Sequence, residues 1–163
     1  MAPEASSEAD REIVVSRIIE GPRRLVFDAF TSAAHLAQWC APTGGKITTH
    51  AFEFKPGGVW DATIQGPDGS EYPHHFLWKE IAPPERLVWM YGMGKEDPHP
   101  VKTTLTLVER GATTEATLQL VFRSKEERDE KVAKYYAAQG ARRSLDALAA
   151  YVATPAAGGR ATQ

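Results

Sequence analysis

Between Lys46 and Phe122 the chain breaks into strand-length runs separated by turn-forming clusters, and this punctuation constrains the fold more than any other feature. The breaks fall at Pro56-Gly57-Gly58, Gly66-Pro67-Asp68-Gly69, Pro83-Pro84, Gly92 through Pro100, and Arg110-Gly111. Glycine admits positive φ and proline presets φ, so such clusters reverse the chain rather than extend a strand. Six strands result. Connections this short favour antiparallel neighbours, because a parallel pair needs a crossover of a dozen or more residues. Glu12 to Glu20, rich in Ile and Val, reads as an earlier strand ended by Gly21-Pro22. The expected sheet is a seven-stranded antiparallel meander.

Helical signals flank the sheet. Pro22 can occupy a first helical position, where its missing N–H is no loss, and open a helix through Thr31 with Val26, Phe27 and Phe30 on its apolar face. Ser32 can cap a second short helix carrying Leu36 and Trp39, before Ala41-Pro42-Thr43-Gly44-Gly45 ends it. Ser124-Lys125-Glu126-Glu127 has the spacing of a capping box and starts a helix expected to reach about Val152. Along it Tyr135, Ala138, Ala141, Leu145, Leu148 and Val152 recur at helical spacing, while Lys131, Lys134, Arg142, Arg143 and Asp146 mostly take other angles. One stripe is therefore made to lie on a sheet. The charged run from Lys125 to Lys131 reads as solvated first turns.

A chain of 163 residues is long enough for one core and short for two. The domain is expected over residues 11–153, with fraying tails at 1–10 and 154–163, where Ala, Gly, Pro, Ser and Glu offer little to bury. The net charge of −2 gives no broad positive field for phosphates, so nucleic acid is not an expected partner. The lone Cys40 has no internal disulfide partner, and no Cys/His spacing resembles a zinc site. The acidic start lacks the basic and apolar regions of a signal peptide, and no apolar run approaches the roughly 20 residues of a membrane span. A cytoplasmic protein without metal, cofactor or membrane insertion is the expectation.

The order strand, two short helices, six-stranded meander and long amphipathic helix resembles the START-like (SRPBCC) superfamily, which includes the birch-pollen allergen and polyketide cyclases. Local text narrows the resemblance. Leu25-Val26-Phe27-Asp28-Ala29-Phe30-Thr31, Leu36-Ala37-Gln38-Trp39, Lys55-Pro56-Gly57-Gly58-Val59-Trp60 and Pro83-Pro84-Glu85-Arg86-Leu87-Val88-Trp89 look like homologues of the activator of the heat-shock protein 90 ATPase. The match spans about Glu12 to Val152. It implies an α+β helix-grip fold in which a curved sheet wraps the C-terminal helix around a cavity for small apolar compounds, though function varies widely on this scaffold. Three departures bear on that cavity. Members often carry Trp where this chain has Ala141 after Gly140, and often a second Trp where it has Cys40; Phe76 stands where many have a small residue and would fill space.

Strand parity proposes the inner face. It contains Trp60, Ala62 and Ile64; Tyr72, His74, Phe76 and Trp78; Leu87, Trp89 and Tyr91; and Leu105, Leu107, Leu118 and Leu120. Aromatics crowd the middle strands, and small-molecule pockets are lined in that way, although simple core packing uses the same residues. The candidate ligand-binding set is Trp60, Tyr72, His74, Phe76, Trp78, Trp89, Tyr91, Leu105 and Leu118 from the sheet, with Tyr135, Ala141 and Leu145 from the last helix. His74 falls between Tyr72 and Phe76, where it could bond a ligand or shuttle a proton, while His75 points the opposite way, so the two do not form a metal pair.

No catalytic constellation emerges. Glu53 could serve as a base at the cavity mouth, but Lys55 on its face favours a surface ion pair. Cys40 sits at the helix end that does not lower a thiol pKa, and His35, His50 and His99 have no partner at a telling spacing. The leading expectation is a protein that binds a small hydrophobic molecule, lipid or polyketide-like. The alternatives are a cyclase, dehydratase or hydrolase using His74 or Tyr91, and a co-chaperone acting through its surface. An open sheet edge also leaves room for a homodimer.

Overall fold

In the computed structural model the described residues are 8–41, 44–92, 97–135 and 137–154. Strand β1 (Glu12–Glu20) is followed by helices α1 (Arg23–Asp28) and α2 (Ala33–Trp39), and then by β2 (Lys46–Phe52), β3 (Val59–Gln65), β4 (Glu71–Ala82), β5 (Arg86–Gly92), β6 (Val101–Arg110) and β7 (Thr113–Val121). Helical residues Lys125–Tyr135 (α3) and Ala137–Val152 (α4) complete it. The seven strands form one antiparallel sheet in the order β1-β7-β6-β5-β4-β3-β2. This α+β helix-grip architecture is the one the turn punctuation implies: from β3 onward each strand pairs with its predecessor, β1 lies beside β7, and β1 and β2 are the two edges.

Two turns show why the sequence folds locally as it does. After β2 the chain reverses through Gly57 at φ +87°, and a Cβ on Gly58 would lie 2.2 Å from the Glu53 carbonyl oxygen. No side chain fits there. The Gly57 N–H donates to the Trp78 carbonyl at 2.8 Å, and the Trp78 N–H donates to the Gly58 carbonyl at 2.9 Å, tying this turn to the middle of β4. Bulges between Thr49 and Ala51 and between Trp78 and Glu80 interrupt the registers, and bulges bend and twist a sheet locally.

The helices follow their caps, with two corrections. Pro22 is the residue before α1, in an extended conformation, rather than its first helical residue. Helix α1 ends at Asp28, short of the expected Thr31; turns carry Phe30 into the core instead. Ser32 caps α2 by accepting from the His35 N–H at 3.1 Å. Ser124 accepts from the Glu127 N–H at 3.0 Å, but Glu127 accepts from the Arg123 N–H at 2.8 Å, one residue outside the expected box. The expected stripe on the last helix is buried at Ala141, Leu145, Leu148 and Val152, joined by Tyr151.

The backbone of α4 runs closest to β1, with β7, α1 and α2 as further neighbours. On that side the core is aliphatic: Ile13, Val15 and Ile19 meet Leu145, Leu148 and Val152. Arg17 on β1 and Asp146 on α4 pair at the rim. The side chains of β3, β4 and β5 on the concave face are instead large rings, described below. Glu8–Arg11 forms a 3-10 turn and Thr154 bonds back to Tyr151, so order extends slightly into both expected tails; the rest of those tails lies outside the described residues. Among the described residues no helix is long and apolar enough to cross a membrane.

Candidate functional site

Alternation along β3, β4 and β5 puts Trp60, then His74, Phe76 and Trp78, then Trp89 and Tyr91 on one face, and register brings them into contact. Trp60 lies opposite Phe76, Ala62 opposite His74, Phe76 opposite Tyr91 and Trp78 opposite Trp89. Phe76 is the centre of the group. Its ring stacks on Trp89 with centroids 4.7 Å apart and planes 11° apart, and it meets Trp60, Trp78 and Tyr91 edge-on. Phe52 and Phe54 extend the cluster on the β2 side, Phe54 contacting Trp78 at 4.9 Å. Phe30 and Trp39 extend it toward the short helices.

Polar atoms inside this cluster are unequally treated. Trp39 Nε1 donates to the Ala29 carbonyl and Trp60 Nε1 to Thr49 Oγ1, each at 3.0 Å. Trp78 Nε1 has no partner among the described residues, and neither has either ring nitrogen of His74. His74 is only 8% exposed, with Trp60 at 4.8 Å, Phe76 at 5.1 Å and Tyr91 at 5.1 Å between ring centres. Burial, with a smaller contribution from His75, pushes its pKa down to about 4, so it is neutral at pH 7. A buried donor or acceptor left unpaired costs about 1–3 kcal/mol, and native proteins tolerate few of them. Burial first, then the nearby Cys40 and Asp97, raise the Tyr91 pKa, and burial pushes the Cys40 thiol up. Neither is primed as a nucleophile.

The family model for activator of Hsp90 ATPase homolog 1-like proteins matches residues 20–153. The chain belongs to this family. Ligand binding and cyclase-like roles are known in it, and no specific ligand follows from membership. Among curated proteins, none matches the sequence. Solved structures match the fold closely. Protein Ms6760 of Mycobacterium smegmatis superposes with a TM-score of 0.77 at 19% identity, covering 96% of each chain. A protein of Arthrobacter aurescens gives 0.81 at 20% identity, over 95% of this chain and 93% of that one. A protein of Rhodobacter sphaeroides gives 0.76 at 22% identity, over 92% and 97%. At these identities the likeness is one of fold.

Set in this family's fold, the candidate residues divide. Trp60, His74, Phe76, Trp78, Trp89 and Tyr91 form one contact group, and Leu105, Leu118, Ala141 and Leu145 line the neighbouring aliphatic core. Tyr72 does not join them. It shares their parity but lies at the far end of the β3–β4 hairpin, opposite Ile64, and is 46% exposed, with its hydroxyl beside Ser70. The Tyr135 side chain lies outside what is described. Phe52 and Phe54 were not among the candidates; the alternation that puts Glu53 and Lys55 on one face was the signal that could have found them on the other. Glu53 and Lys55 form an exposed ion pair at 3.4 Å.

Three of the remaining histidines have ring partners. His75 faces away from His74, buried beside Asp61 at 3.4 Å. His50 meets Thr63 at 2.8 Å, and His35 Nδ1 meets the Tyr151 hydroxyl at 2.6 Å, joining α2 to α4. That contact spans 116 residues and left no local signal. Among the described residues no three His, Cys, Asp or Glu side chains are placed to hold a metal. Two surface grooves are described, of about 610 Å³ beside Arg23, Glu85 and Arg86, and about 510 Å³ beside Lys79, Val88 and Met90. Neither is lined by the aromatic group of β3, β4 and β5, whose rings pack on one another.

Proposed function

We propose that the domain binds a small hydrophobic molecule among the rings of β3, β4 and β5, on the side of the sheet gripped by α4, in a cytoplasmic setting. The carrying observation is the contact group around Phe76, in which unpaired polar atoms of His74 and Trp78 are enclosed by aromatic rings. Rings of this kind offer a ligand apolar area and defined stacking geometry, and a few polar atoms fix its orientation. A ligand that takes the place of Phe76 against Trp89 requires that ring to move. The family description speaks of a chaperone activator; the interior supports the small-molecule reading instead.

A ligand that binds only the folded chain raises its melting temperature by mass action. A thermal-shift screen of fatty acids, sterols, flavonoids and aromatic polyketides is expected to give a saturable rise in Tm for at least one class. Trp89→Leu, confirmed as folded by circular dichroism, should remove it. A flat screen, or a shift unchanged in that variant, would count against the interior as the site.

A further inference from the structure

The unpaired atoms in the aromatic group define more than an apolar space. On β4, the side chains at 74, 76 and 78 follow one another on the concave face. The ring centres of His74 and Phe76 are 5.1 Å apart, and those of Phe76 and Trp78 are 5.3 Å apart. One ring thus separates two side chains whose buried nitrogens lack partners among the described residues, and that ring is stacked on Trp89, its plane 11° from parallel. The arrangement has the outline of a flat molecule with a polar group at either end.

Resting on the interior site proposed above, we infer that the ligand is a flat, fused-ring aromatic compound with hydroxyl or carbonyl groups at opposite ends, taking the Phe76 position against Trp89 and bonding His74 and Trp78. The Phe76 ring has the place and the stacking on Trp89 that the ligand would take over.

The chemistry of each end follows from its nitrogen. Trp78 Nε1 is a donor only, so it needs an oxygen acceptor. A neutral imidazole has one donor and one acceptor, and no protein partner sets the tautomer of His74; it can receive a hydroxyl proton or donate to a carbonyl. A carboxylate fares worse, because a neutral histidine offers it no opposite charge against the cost of leaving water. A saturated chain lacks the π-face that would replace Phe76 on Trp89.

Tryptophan fluorescence of the full chain, titrated with a dihydroxynaphthalene bearing one hydroxyl on each ring, with naphthalene and with dodecanoate, tests this. The diol is expected to bind about tenfold tighter than naphthalene, the effect of roughly one well-made hydrogen bond. His74→Phe should remove most of the diol's advantage over naphthalene, leaving only what the Trp78 bond supplies, while preserving the circular dichroism spectrum, and Phe76→Ala should tighten both. Equal affinities in the parent protein, a diol preference undiminished by His74→Phe, or dodecanoate as the tightest binder would overturn the assignment of ligand class and leave the interior site standing. No binding of any probe, in the parent or in Phe76→Ala, would remove the interior site as well.

Discussion

The concave face has two halves built on different terms. Where α4 lies against β1 and β7, aliphatic side chains close the gap: Ile13, Val15, Ile19, Leu145 and Leu148 are all buried, and none brings a polar atom with it. Across β3, β4 and β5 the filling is aromatic, and it encloses His74 and the indole nitrogen of Trp78, neither with a partner among the described residues. Aliphatic packing of the first kind stabilises a fold and leaves nothing to complete. The second half contains groups that a further molecule could satisfy, which is why the functional reading is placed there.

Core truncations give the strongest test of that contrast. Leu148→Ala in the aliphatic half is expected to cost about 3–4 kcal/mol by urea unfolding. Phe76→Ala removes a larger group, yet the expected loss is only about 2 kcal/mol, because water entering the vacated space can reach His74 and Trp78. Should Phe76→Ala prove the more damaging of the two, the aromatic half is as closed as the aliphatic one.

Acidification should separate the halves next. The His74 pKa is lowered from 6.5 to about 4 in the folded state. Between those values the unfolded chain binds a proton that the native protein does not, so stability falls as the pH is lowered from about 6.5 to 4, by roughly 3 kcal/mol from this group. His74→Phe should flatten that part of the stability profile. A profile that keeps its slope in the variant would assign the effect to other groups.

At neutral pH the same His74→Phe change is expected to raise stability by about 1 kcal/mol, since two unpaired buried nitrogens leave with it. Destabilisation would mean that the imidazole is satisfied in solution. Smallest of all is Arg17→Ala on the aliphatic rim: its pairing with Asp146 is exposed on both sides, and a change of about 0.5 kcal/mol or less in chemical unfolding is expected.

Much of this was legible in the chain. Turn clusters placed all seven strands, parity put Trp60, His74, Phe76, Trp78, Trp89 and Tyr91 on one face, and helical spacing found the buried stripe from Ala141 to Val152. Parity, however, states a direction and not a depth. Tyr72 and Phe76 share a face and differ because the hairpin end at Tyr72 is left in solvent, while Phe76 has rings on every side. The contact of His35 with Tyr151 had no sequence signal either, because it depends on where two helices come to rest.

By itself, then, the sequence determined what is periodic or local: strand number, antiparallel order, inner and outer faces, and the caps at Ser32 and Ser124. Tertiary structure decided which inward residues are enclosed, that the rings of β3, β4 and β5 pack on one another, and that His74 and Trp78 Nε1 have no partner among the described residues. Turns and alternation arise from the backbone dihedrals of a few neighbouring residues. Burial and hydrogen bonding are sums over groups brought in from distant parts of the chain, and those sums are settled only once α4 and the short helices have packed onto the sheet.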